Sequence, residues 1–241
     1  MKKLILLLFS SSLICCHLIG QNTKPRGLNY GYNQPGDHIM LQLSSDQWLN
    51  APDSISSRQR SVSRGFNAYI MLEKTFKSSP KFSLGFGLGI SNSNVFLDKY
   101  SIDLKGTAPK LLFQNLDNSD RFKSYKLATT FLELPLELRY SSVPQNKNIG
   151  FKAAIGFKIG TLINAHTKGR TLQDKTGRTI NEYTEKIASR RYFNTTRISA
   201  TARAGYGNFS VFGSYALTGL FKENVAPNIN LLQIGLTISG L

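Results

Sequence analysis

Residues 131–140 read FLELPLELRY. Leu132, Leu134, Leu136 and Leu138 return at every second position, a spacing that gathers them on one side of a β-strand but scatters them around a helix. Glu133, Pro135, Glu137 and Arg139 take the other side. One face is wholly apolar, and the other holds two acids and a base. Such a strand fits two environments. In a soluble sheet the leucines point into a core, whereas in a membrane-spanning barrel they meet lipid and the charges meet the lumen.

The same period recurs along the chain. Candidate strands lie at 38–50, 65–76, 81–96, 126–141, 149–164, 192–206, 208–219 and 229–239. Each is long enough to cross a bilayer at the usual tilt, which takes about 9–11 residues. The links between them alternate in length. Short ones fall at 77–80, 142–148 and 207–208, and longer polar ones at 51–64, 97–125, 165–191 and 220–228. A meander with short periplasmic turns and longer outer loops has this pattern, and it puts both termini on the periplasmic side. The predicted fold is all-β, an eight-stranded antiparallel up-and-down transmembrane β-barrel over 38–241.

Residue types choose the face. The third strand sets Phe82, Leu84, Phe86, Leu88 and Ile90 against Ser83, Gly85, Gly87 and Gly89. The fifth sets Phe151, Ile155, Phe157 and Ile159 against Lys152, Gly156, Lys158 and Gly160, and the eighth sets Leu232, Ile234, Leu236 and Ile238 against Gln233, Gly235, Thr237 and Ser239. In the seventh, Phe212 and Gly213 break the pattern. Glycine weakens a solvated strand, but small residues suit the crowded inside of a narrow barrel. The bulky set belongs against lipid. If Arg139, Lys152, Lys158, Arg197 and Arg203 faced the bilayer instead, each would cost about 2–4 kcal/mol near the midplane. That sum rivals the stability of a whole domain, about 5–15 kcal/mol. The expected interior is therefore a charged cluster of Glu73, Glu133, Glu137, Arg139, Lys152, Lys158, Arg197 and Arg203. Pro135 removes a ladder donor, which predicts a bulge or a break in pairing at that residue.

The N-terminus points the same way. Met1, Lys2 and Lys3 precede a short apolar run that reaches Gly20, the pattern of a secretory signal peptide over 1–20. A polar lead-in follows at 21–37. Both cysteines, Cys15 and Cys16, fall within the signal segment, and neither follows the small residue that a lipoprotein cleavage site requires. The mature chain then has no thiol. No later stretch has the unbroken apolar length of a transmembrane helix, so insertion must be by strands. The formal charge of +16 comes without a zinc-finger, RNP or P-loop pattern, which excludes nucleic acid as the expected partner. Loop bases instead suit the phosphates of an outer leaflet.

FLELPLELRY, the following GFKAAIGFKIG (150–160) and the closing LLQIGLTISGL (231–241) resemble the PorT-like outer-membrane β-barrel family of Bacteroidota. A strand reading aromatic-Leu-Glu-Ile/Leu-Pro-Leu marks that family, and Phe131 to Leu136 match it. The resemblance implies an outer-membrane location and eight strands. It also implies membership of a family with few assigned activities, some of them in secretion or gliding. Leu241 departs from the aromatic terminus of many outer-membrane barrels.

Three functional readings compete. An eight-stranded lumen is filled by side chains, which favours envelope architecture or partner binding, with a narrow small-solute porin as the alternative. A lipid-modifying enzyme needs a His near a Ser and an acid. The mature chain offers His38 and His166, neither with a nucleophile signature, so no enzyme is expected. Without mature cysteines or paired histidines no metal or cofactor is expected. Trp48, Tyr140, Tyr192 and Tyr206 read as interfacial girdle residues. KGRTLQDKTGRT (168–179) reads as an exposed hairpin or loop. Outer-membrane lipid is the expected surround of a monomer, and loops 97–125 and 165–191 are the expected contact region for a protein or glycan.

Overall fold

The computed structural model describes residues 38–146 and 149–240. The expected signal peptide and lead-in lie outside the described residues. The elements run β1 Ile39–Leu49, α1 Asp53–Ser56, β2 Arg64–Phe76, β3 Ser79–Leu97, β4 Tyr100–Asp103, β5 Leu112–Asn115, β6 Arg121–Ser141, β7 Phe151–Gln173, β8 Thr179–Ala188, β9 Thr196–Tyr206, β10 Phe209–Ala216 and β11 Asn230–Ser239. Eight strands pair in the order β1, β2, β3, β6, β7, β9, β10, β11, and β11 closes back on β1 from Met40↔Ser239 to Leu49↔Asn230. Every pairing is antiparallel. Closure leaves the ring without an edge, which is how strands satisfy their backbone groups in a bilayer.

The wall is apolar on its outside. Leu134, Ile155 and Leu236 are 59%, 64% and 64% exposed, whereas Glu137 and Lys158 on neighbouring parities are 1% and 0% exposed. Register carries the outer band from strand to strand, since Leu136 sits opposite Phe86 on one side and Phe157 on the other. Phe212 and Gly213 keep the alternation with unusual residue types, Phe212 turned inward and buried and Gly213 outward.

Two glycines mark where adjacent strands crowd on the inner face. A Cβ at Gly156 would lie 2.0 Å from the Leu136 carbonyl oxygen, and one at Gly235 would lie 1.9 Å from that of Leu43. Backbone cannot rotate out of the way as a side chain can. Gly156→Val is therefore expected to cost at least the usual overpacking penalty of about 1–3 kcal/mol. Urea unfolding in lipid vesicles checks this, and an unchanged midpoint would contradict it.

At Pro135 the ladder breaks on one side only. Pairing with β7 runs unbroken through Pro135↔Lys158, while pairing with β3 steps from Phe86↔Leu136 to Gly89↔Glu133 and omits the two positions between. The register is the same on either side of that gap, so there is a break without a bulge. In an antiparallel pair a residue's N–H and C=O face the same neighbour, so the missing donor lies toward β3. A bulge does occur nearby, between Thr130 and Phe131 on β6, where Ile163 is the extra residue of β7.

Three features exceed the sequence reading. Strands β6 and β7 continue past the apolar band as far as Arg121↔Gln173, and β8 adds to β7 there, which makes a three-stranded arm at the long-loop end. The arm's sequence mixes polar residues with scattered apolar ones such as Phe122, Tyr125, Tyr183 and Ile187, so it carries no sustained apolar alternation to reveal it. Segment 97–125 is not an open loop, because β4 and β5 form a hairpin within it. The third is the buried apolar cluster that fills the long-loop end of the barrel.

Candidate functional site

The candidate site is the lumen and what closes it. At the end of the short turns, Glu73, Arg139, Lys152 and Arg203 surround a cavity of about 20 Å³, room for a single water. Arg139 Nη1 donates to Glu73 at 3.2 Å and its Nε to Glu137 at 2.9 Å. Arg203 reaches the same Glu137 oxygen from β9, through Nε at 3.3 Å and Nη2 at 3.2 Å. Glu137 and Arg139 of β6 thus link that strand to β9 through Arg203 and to β2 through Glu73.

A second tier sits above it. Glu133 accepts from Arg197 Nη2 at 2.7 Å and Nε at 3.1 Å, and from the Tyr69 hydroxyl at 2.6 Å. The Arg197 guanidinium lies 3.9 Å from the centre of the Phe131 ring and also donates to Ser91. Lys158 is fully buried, donates to Gln42 and to Tyr69 at 3.2 Å each, and faces the Tyr69 and Phe212 rings. Gln42 passes the chain on to Thr237 and receives from Asn67. Buried charges of this kind persist only when paired and hydrogen-bonded.

Asp46 makes a third tier, holding Ser44 at 2.5 Å and Gln233 at 3.2 Å. With it the buried acids number four, Asp46, Glu73, Glu133 and Glu137, against five bases, Arg139, Lys152, Lys158, Arg197 and Arg203. The interior is close to neutral, so the chain's excess of positive charge lies elsewhere. Asp46, Gln42 and Tyr69 were absent from the sequence-level cluster. Parity could have found Asp46, because it shares the even positions of β1 with Gln42 and Trp48.

Above the ionic tiers the lumen turns apolar. Trp48, Val95, Leu97, Leu127, Phe131 and Leu231 project inward from the wall, and Ile55, Ile102, Leu111 and Phe221 fold over them from the connecting segments. Around Trp48, Ser93, Val95, Thr129 and Leu231 there is no volume for a water molecule. Phe221 is the hub, with ring centres 5.1 Å from Phe193, 5.9 Å from Phe113 and 6.5 Å from Trp48. The Tyr125 hydroxyl donates to the Ile102 carbonyl and accepts from the Ile102 N–H, each at 3.0 Å. Further out, both Arg58 guanidinium nitrogens bond Asp117, and this holds the Asp117 carboxyl below the usual carboxylate range. Lys105 pairs with Glu185 at 2.9 Å and ties the cap to β8.

This corrects two of the girdle residues. Trp48 and Tyr192 are 4% and 2% exposed and belong to the cap, Tyr192 with its hydroxyl on the Gly106 and Ala108 carbonyls. Tyr206 is exposed on the outer wall, and Tyr140 packs there on Phe82 at 5.3 Å. His166 lies half-buried on the outside of β7, its Nδ1 3.2 Å from Asn164 Nδ2, and His38 is exposed before β1. Residues 168–179 form the end of β7 and a turn in which Asp174 accepts from the Thr176 and Arg178 N–H groups. A cavity of about 920 Å³ opens beside the long-loop ends of β9 and β10, lined by Asn194, Thr196, Thr218, Lys222 and Asn228 among others.

A closed antiparallel ring with an apolar outer wall and a packed ionic interior defines a transmembrane β-barrel. The chain belongs to the outer membrane protein beta-barrel domain family, whose model matches residues 21–223. No curated protein matches it. Among solved structures it is similar to Ail, the attachment invasion locus protein of Yersinia pestis, in complex with the heparin analogue sucrose octasulfate. That likeness has 10% identity and a TM-score of 0.37, and covers 86% of this chain and 97% of that one. A second structure of Ail gives 11% identity and a TM-score of 0.35 over the same shares.

Proposed function

We propose that this outer-membrane barrel is a non-conducting scaffold, anchored with both termini in the periplasm, that holds a folded outer face for a binding partner. The observation that carries the reading is the filling of the lumen: three polar and ionic tiers and an apolar cap occupy it in series and leave no path for a hydrated solute. The three-stranded arm supports the partner role. Strand β8 pairs on one side only, and its residues from Thr179 to Thr184 are all exposed, so it offers backbone groups and side chains together. The Asn- and Thr-lined cavity beside β9 and β10 suits a hydroxyl-rich ligand such as a glycan. The resemblance of residues 131–140, 150–160 and 231–241 supports PorT-like membership, and with it a link to secretion.

The porin alternative makes the opposite statement about the lumen, so conductance separates the two. In planar bilayers the folded chain is expected to give no stable channels, and reproducible single-channel steps would overturn the scaffold reading. Replacing the arm's tip, 171–183, by a two-residue turn is expected to leave folding intact and remove partner capture from envelope extracts. A lipid-modifying enzyme would require His166, and His166→Ala is expected to leave the lipid composition of the envelope unchanged.

A further inference from the structure

We infer that the outer wall above the apolar band carries a lateral site for the phosphates of an outer-leaflet glycolipid, built on Lys126, Lys168 and Lys186. This goes beyond the scaffold reading, because it concerns the wall that faces lipid and not the partner-facing end. Lys126 of β6 sits directly opposite Lys168 of β7, and Lys168 directly opposite Lys186 of β8. Side chains so opposed have Cβ atoms about 4.5–5.5 Å apart, and like charges in that position repel. Among the described residues no ion pair joins any of the three to an acid. Lys126 donates to Asn94 at 2.7 Å and lies 5.5 Å from the centre of the Phe96 ring, which fixes its direction without offsetting its charge.

The neighbouring outward row adds to the field. Arg64, Asn94, Ala128 and His166 follow one another across β2, β3, β6 and β7, one outward step closer to the lipid band. Below that row come Phe66, Asn92, Thr130 and Asn164, with the exposed Phe66 and the bulged Ile163 bordering the lipid band. The lysine row stands two outward steps beyond these. At 3.3 Å per residue and a tilt near 40° that is about 10 Å along the membrane normal. Lysine stems can bend back toward the interface over that distance.

Parity decides the class of ligand. Lys126 shares its face of β6 with Leu132 to Leu138 through Thr130, so it lies on the wall that continues into lipid, not on the end that faces the medium. A soluble partner would have to wedge between the barrel and the bilayer to reach it. An anionic headgroup is already there. Three close ammonium groups without acids match the two or more negative charges of a phosphorylated headgroup, and release of their mutual repulsion adds to binding.

The test uses the folded full-length mature chain in detergent micelles and native mass spectrometry. Bisphosphorylated lipid A, the same lipid dephosphorylated, and inorganic phosphate are titrated separately. The wild-type chain is expected to bind the bisphosphorylated lipid at least roughly tenfold more tightly than the dephosphorylated one. Inorganic phosphate is expected not to compete at the same concentration. Lys126→Gln/Lys168→Gln/Lys186→Gln is expected to lose that preference, and Lys77→Gln, at the short-turn end, to keep it. Equal binding of the two lipids by the wild type overturns the inference even if the triple variant fails to fold. Undiminished preference in a folded triple variant, equal loss in Lys77→Gln, or saturation by free phosphate would each overturn it as well.

Discussion

Glu137→Ala is expected to lower the unfolding free energy of the barrel by about 3–5 kcal/mol, the usual cost of removing one partner from a buried ion pair. The carboxylate is 1% exposed and accepts from Arg139 and from both a nitrogen pair of Arg203. Without it, Arg139 retains Glu73 while Arg203 loses the acceptor that β6 supplied. The loss comes from taking a shared carboxylate away from two guanidiniums in a space too small for solvent, not from a missing attraction alone. Glu137→Gln keeps acceptor geometry but no charge, and its loss should fall between that of the alanine variant and zero. The exposed Lys105–Glu185 pair is the contrast, since Glu185→Ala should scarcely move the same transition. Chemical unfolding in vesicles, followed by the slower gel mobility of the unfolded form, gives all three. An alanine variant as stable as wild type would show that the ionic tiers do not hold the ring together.

The apolar cap should respond as strongly, and separately. Phe221→Ala is expected to cost about 3–5 kcal/mol, because the ring is buried and three aromatic neighbours cannot close over the gap. The damage should be local. Segment 104–120 is held by the cap through Leu111, whose N–H donates to the Val225 carbonyl, so brief proteolysis of intact vesicles should cut the variant there and spare the wild type. Conductance should stay absent, since the ionic tiers lie below the cap and still fill the lumen. Channels appearing in Phe221→Ala would mean that the cap alone closes the barrel.

How far these features could be read in advance depended on what alternation can and cannot say. Period 2 states which residues share a face, and lipid and lumen then divide by residue type: Leu132 to Leu138 outside, Glu133, Glu137 and Arg139 inside. The eight strands follow from that pattern within a few residues. Where the wall leaves lipid the division fails, because either face can then be polar. The extensions of β6 and β7, the added β8 and the lysine row all lie there. Trp48 shows the same limit from inside: its residue type suggested the interface, while its parity with Gln42 and Asp46 placed it in the lumen. The cap is a tertiary product of segments 51–64, 97–125 and 220–228, whose apolar residues have no shared period. At Pro135 chemistry indicated a lost donor, but only the three-dimensional pairing shows that β7 is untouched and β3 bears the gap.

The central claim, an apolar wall turned to lipid around a packed interior, meets its most direct test in the chain's one tryptophan. Trp48 points into the cap, so phospholipids brominated along their acyl chains should leave its fluorescence nearly unquenched in vesicles, whereas Trp48→Phe/Leu136→Trp, with the indole moved onto the wall, should be strongly quenched. Quenching of Trp48 together with a silent residue at 136 would contradict the account.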